Sequence, residues 1–150
     1  MGDRRARFIL IAFGVFVFLG ISAMLARALT GAGAERSLVL EVLRAQARGD
    51  AAAVLERLPE CEGDATCSRL VRERTPRLAR PGRVQILNDQ PSVQLALTDR
   101  AGVARVAWRA DGPERLPVVQ CVQVRREGPL TGGGVELVSI SGPIGLESPC

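Results

Sequence analysis

Residues 8–26, FILIAFGVFVFLGISAMLA, form nineteen consecutive uncharged positions dominated by Phe, Ile, Leu and Val. A helix rising ~1.5 Å per residue carries such a run across a hydrocarbon core of ~30 Å. A buried globular helix of this length would need a polar face, and this run has none, so it reads as a membrane segment. The expected transmembrane helix spans 8–29, after a short segment, 1–7. MGDRRAR is positively charged, and the positive-inside bias assigns it to the cytoplasm and the C-terminal part to the far side. A cleaved signal peptide is the rival reading, because Ala26-Arg27-Ala28 and Ala32-Gly33-Ala34 both resemble small-x-small cleavage sites. The run exceeds the ~7–15 residues of a usual h-region, which favours retention.

The charge balance follows from this anchor. Arg4, Arg5, Arg7 and Arg27 flank the run together with Asp3; with these set aside from twenty basic and sixteen acidic residues, positions 31–150 carry only +1. The sequence pI of 9.4 therefore describes the anchor, and no nucleic-acid partner is implied. All four Phe lie inside the apolar run, leaving Trp108 as the only aromatic side chain after it. Stacking recognition of bases has almost nothing to use.

Residues 30–35 contain Thr30-Gly-Ala-Gly-Ala34 and read as a flexible linker. From Glu35 to Arg48, Leu38, Val39, Val42, Leu43 and Ala47 recur at helical spacing, with Glu41, Arg44 and Arg48 opposite. Gly49 suits the position after this helix. Asp50 can cap a second helix, Ala51–Leu58, which Pro59 is expected to stop. A polar loop, Glu60–Ala65, precedes a third short helix from Thr66 to about Arg74.

From Arg83 the hydrophobic period changes from helical to two. Val84/Ile86, Val93/Leu95/Leu97, Ala104/Val106/Trp108, Leu116/Val118 with Val122/Val124, and Val135/Leu137 or Val138/Ile140 read as strands. Turns are expected at 88–91, 99–102, 110–113 and 127–134, too short to hold crossover helices, so the sheet is antiparallel. The fold class is α+β: a transmembrane helix, then two or three helices packed on a curved antiparallel sheet of four to five strands. The domain is expected to span 36–141, with 142–150 as a tail.

Cys61, Cys67, Cys121 and Cys150 all follow the apolar run. On an exported domain four cysteines allow three pairings. Cys61 and Cys67 flank the polar loop and are the expected bond. Cys150 tethered to Cys121 is the economical second, although Cys121 also suits a small buried hydrophobe. With no His, no Cys-x-x-Cys and spacings foreign to zinc fingers, no metal or other cofactor is expected. Arg density rises after the third helix begins. Arg69, Arg72, Arg77 and Arg80 are candidate contacts for an anionic surface such as lipid headgroups or an envelope polymer; the competing reading is a solvated face.

No catalytic residue is assigned. Without His or Lys, a nucleophilic Ser or Cys lacks a base suited to neutral pH, and Thr131-Gly-Gly-Gly134 lacks the Gly-Lys of a phosphate loop. The element order, with Arg48-Gly-Asp50 joining the first two helices, resembles the NTF2-like (cystatin-like cone) superfamily, and is similar to small membrane-anchored members found in actinobacteria. The resemblance, over roughly 35–141, implies a sheet bent around the helices with a mouth for a small ligand. Enzymatic members typically place His, Tyr and Asp there; this chain has neither His nor Tyr. The expected function is therefore a non-catalytic, extracytoplasmic, single-pass module that binds a small ligand or a cell-envelope partner. The alternative is an NTF2-like hydrolase or isomerase using carboxylates in the cone.

Overall fold

A computed structural model of the chain describes residues 2–90, 100–111, 116–128 and 134–150. Helix α1 runs without interruption from Gly2 to Ala47. The linker expected at 30–35 is thus helical: both flanks favour helix, Ala is the best helix former, and the ~1 kcal/mol cost of each glycine is insufficient to break the segment. Within α1, Arg7–Ala26 has a mean hydropathy of 2.7 and none of it is buried by the rest of the chain. Phe8, Phe13, Phe16 and Phe18 all project outward. The helix is long and apolar enough to cross a bilayer, and its apolar side chains have no protein partner to cover them.

The second half of α1 belongs to the domain core. Val39, Val42 and Leu43 are buried on one stripe, and the polar Glu35 and Gln46 share their burial. Gly49 adopts φ +74°, the left-handed conformation that suits the residue ending a helix. Asp50 accepts a hydrogen bond from the Ala53 amide at 3.0 Å and caps α2, Ala51–Glu56. Pro59 does not merely stop α2; it opens α3, Pro59–Gly63, within the segment expected as a loop. The first turn of a helix leaves its N–H groups unpaired in any case, so proline suits it. Asp64 then caps α4, Ala65–Arg74, through the amides of Thr66 and Cys67, and a 3₁₀ turn follows over Thr75–Leu78.

The described sheet has four strands, β1 Val84–Gln90, β2 Arg100–Ala110, β3 Val118–Arg126 and β4 Val135–Ile140, paired antiparallel in chain order. The strand expected around Val93, Leu95 and Leu97 lies outside the described residues. Over their described residues the segments expected as turns at 88–91 and 99–102 are strand: β1 continues through Asn88–Gln90, and Arg100–Gly102 already belong to β2. Asn, Asp and Gly favour turns only weakly against a long run of ladder hydrogen bonds. Leu116 precedes β3 and is 77 % exposed.

Two bulges decide which side chains enter the core. In β1 the register slips between Ile86 and Asn88, so that Ile86 opposes Trp108 while Asp89 opposes Val106. Strict alternation from Ile86 would send Asp89 outward; the extra residue, Leu87, turns it inward instead. In β4 the slip falls between the partners of Gln123 and Val124. Leu137 and Ile140 consequently both meet the core, which reconciles the two phases that the hydrophobic pattern leaves open.

Ala104, Val106 and Trp108 are fully buried, facing α1 and the short helices. The indole Nε1 donates to Gln120 Oε1 at 2.8 Å, and Gln120 Nε2 donates to the Ser141 carbonyl at 2.8 Å. A buried indole and a buried amide are thus mutually satisfied.

The tail first continues beside β3 and then crosses to the opposite face of the sheet. Ser141 and Ile144 donate their amides to the carbonyls of Cys121 and Val119, and Arg105 donates to the carbonyls of Leu146 and Ser148. Cys150 closes the strap through a disulfide to Cys121, and Cys61 is bonded to Cys67. Chain-entropy arguments put the small ring at about 2 kcal/mol and the larger one somewhat higher.

Candidate functional site

The arginines singled out in the sequence differ in their contacts. Arg69, Arg72 and Arg77 are exposed. Arg80 is committed to the fold: it donates to the Leu116 carbonyl at 2.8 Å, and its guanidinium lies 5.9 Å from the centroid of the Trp108 ring. It therefore closes one side of the indole pocket and holds the approach to β3. All four cysteines are consumed in disulfides. Among the described residues no group of His, Cys, Asp and Glu has the arrangement of a metal site.

Two polar arrangements that sequence reasoning passed over stand out by burial. The first lies at the start of the domain part of α1. Glu35, 2 % exposed, accepts hydrogen bonds from both Nε and an Nη of Arg126 at the end of β3. Its other oxygen, Oε1, is buried without a partner, as is Asp89 Oδ1. Burial raises the Asp89 pKa above its ordinary 3.8, and the neighbouring Glu35 carboxylate raises it further, while Arg36 opposes both. Two carboxylates in different environments can divide acid and base roles. Here Glu35 is neutralised by Arg126, and neither carboxylate lines a described cleft.

The Asp89 shift has a pH signature. The folded state holds the proton more tightly than the unfolded state, so stability falls as pH rises from about the ordinary carboxylate value through the raised one. Asp89→Asn is expected to flatten that decline and to stabilise the domain at neutral pH, with little effect at acidic pH. Urea midpoints of both proteins across that range check it.

The second arrangement is a cleft of about 60 Å³ where the C-terminal turn of α1, α4 with its 3₁₀ extension, and the end of β4 meet. Its walls are apolar: Leu70, Val71, Leu78, Ile140 and the Cys67 end of the small disulfide ring. Its polar groups are Gln46, Thr75, Ser141 and Arg74. Thr75 donates its hydroxyl to the Val71 carbonyl, and the Ser141 hydroxyl accepts from the Cys121 amide and donates to Gly142. Those two are satisfied. Gln46 is not: it is 3 % exposed and its Oε1 has no partner. Arg74 lies exposed at the mouth, where a Cβ built on Gly142 would fall 3.5 Å from its guanidinium. That is ordinary van der Waals distance, so an alanine there would simply pack against the Arg74 side chain where it lies over the β4 end.

A second, more open cleft of about 190 Å³ lies at the β3–β4 end between Arg125, Glu127, Gly134, Val135 and Glu136. Its arginine is already paired with Glu60 and Glu136, which leaves no uncompensated cation there. The small cleft alone, among the described residues, combines an apolar wall, a buried amide without a partner and an arginine without an ion pair.

The fold and these sites define an α+β domain, stapled by two disulfides, on an apolar helix of membrane-spanning length. Compared with family models, curated proteins and solved structures, the chain matches none.

Proposed function

We propose that the protein is a single-pass, membrane-anchored module whose C-terminal domain lies outside the cytoplasm and binds a small ligand or a cell-envelope partner without catalysing a reaction on it. The observation that carries this reading is the joining of an entirely uncovered apolar helix to a domain whose four cysteines are paired. Disulfides persist in oxidising compartments, and the arginines before the apolar run favour retention of that end in the cytoplasm. The cleft beside Gln46 supports a binding role, since its walls are apolar and its unsatisfied polar groups few. The order of helices followed by a curved antiparallel sheet keeps an NTF2-like scaffold as the proposed ancestry. A carboxylate-based hydrolase is less well supported, because Glu35 is already ion-paired and lines neither described cleft.

Protease added outside intact spheroplasts is expected to degrade the domain, while carbonate washing leaves the protein in the membrane. A domain protected from that protease, or a protein released by carbonate, would overturn the proposal.

A further inference from the structure

We infer that the cleft at Gln46 binds a small carboxylate that also carries a hydrogen-bond donor, the chemistry of a short 2-hydroxy acid. The inference deepens the binding role proposed above and rests on it.

Size comes first. One water needs ~10–15 Å³ of such space, so the cleft of about 60 Å³ takes roughly four such groups, the bulk of a very small acid. Polarity selects its functional groups. Arg74 offers only donors and has no acidic partner among the described residues, so the mouth calls for an anion, and a planar carboxylate matches its fork. Deeper in, Gln46 Oε1 is a buried acceptor without a donor. An unpaired buried acceptor is costly, and a ligand hydroxyl placed a bond or two from the carboxylate would satisfy it. The remaining wall, Leu70, Val71, Leu78 and Ile140, tolerates a hydrogen or a methyl and disfavours further charge. A second cation is equally disfavoured beside Arg74, which argues against an amino acid. The surrounding frame is stiff: Cys67 is held by its disulfide and Ser141 by the Gln120 and Cys121 hydrogen bonds, so the site is formed before ligand arrives.

The test is titration of the full chain in detergent micelles, labelled with ¹⁵N-glutamine, with sodium lactate, sodium propionate and sodium chloride at matched ionic strength. So small a ligand has few atoms with which to bind, and the dissociation constant for lactate is expected in the millimolar range. Lactate should move the Gln46 side-chain amide resonances saturably while leaving Gln120, already paired to Trp108 and Ser141, nearly still. Propionate, which lacks only the hydroxyl, should bind about tenfold more weakly. Gln46→Leu should erase the difference between the two acids, and Arg74→Gln should weaken both by about tenfold. Absence of a saturable shift at Gln46, propionate binding as well as lactate, or retention of lactate affinity in Arg74→Gln would each overturn the assignment. The outcome in micelles does not depend on which side of a membrane the domain occupies, so failure here is distinct from failure of the protease experiment.

Discussion

Trp108→Ala is expected to destabilise the domain by about 3–5 kcal/mol, the range for truncating a large buried aromatic. Trp108 is fully buried near the C-terminal end of β2, opposite Ile86 and Val118. Two effects add in the same direction. The cavity would open in the core that the sheet shares with the helices, whose close-packed members cannot collapse into it without moving whole elements. Gln120 would also lose the donor to its Oε1 and remain a buried half-satisfied amide. Trp108→Phe separates the two, because it keeps most of the volume and removes the N–H; it is expected to cost about 1–3 kcal/mol. Urea unfolding followed by amide exchange in the sheet measures both. Equal losses for the two variants would show that the hydrogen bond, not the packing, dominates.

Arg126→Leu is expected to cost a comparable 3–5 kcal/mol, for an electrostatic reason. Glu35 is 2 % exposed, and among the described residues its side-chain hydrogen bonds come from Arg126. Removing the guanidinium leaves a carboxylate buried beside Asp89, with which it already interacts unfavourably. The fold must then protonate it, admit water or open. The double variant Glu35→Leu with Arg126→Leu should recover most of the loss, since an apolar pair of similar bulk avoids burying charge at all. A double variant no more stable than Arg126→Leu would instead assign the bridge a positioning role for α1. The bridge joins the helix leaving the apolar segment to the end of β3, so its loss should loosen the domain first where it meets the anchor.

The two predictions draw on residues of very different legibility. Trp108 announces itself: alternation with Ala104 and Val106, with Arg105 and Arg109 between them, places the indole on the core face, and the structure has it there. The α+β class was equally legible, because the change of hydrophobic period from helical to two falls where the helices end and β1 begins. Gly49 and Asp50 are local signals for a helix end and a helix cap, and local signals survive folding when nothing opposes them. Gln46 was half visible, as a polar residue three and four positions beyond Leu43 and Val42 on the same helix stripe. Glu35, Asp89 and Arg126 were not visible as a group, since they lie on three elements far apart in sequence.

By itself, then, the sequence determined the apolar span, the order of helices before strands, the inward face of β2 and the availability of paired cysteines. These follow from composition, period and capping chemistry within a few residues of each position. Only the tertiary structure decided that α1 continues unbroken into the domain, because helical flanks on both sides outweigh two glycines. It alone set the bulge at Leu87 that turns Asp89 inward, because bulges depend on the strand opposite and leave no mark in the alternation itself. It also brought Gln46 and Arg74 to one cleft, since that meeting depends on how α4 packs between the end of α1 and the end of β4. Side chains that share an element can be paired by counting; those that meet across elements are paired only by packing.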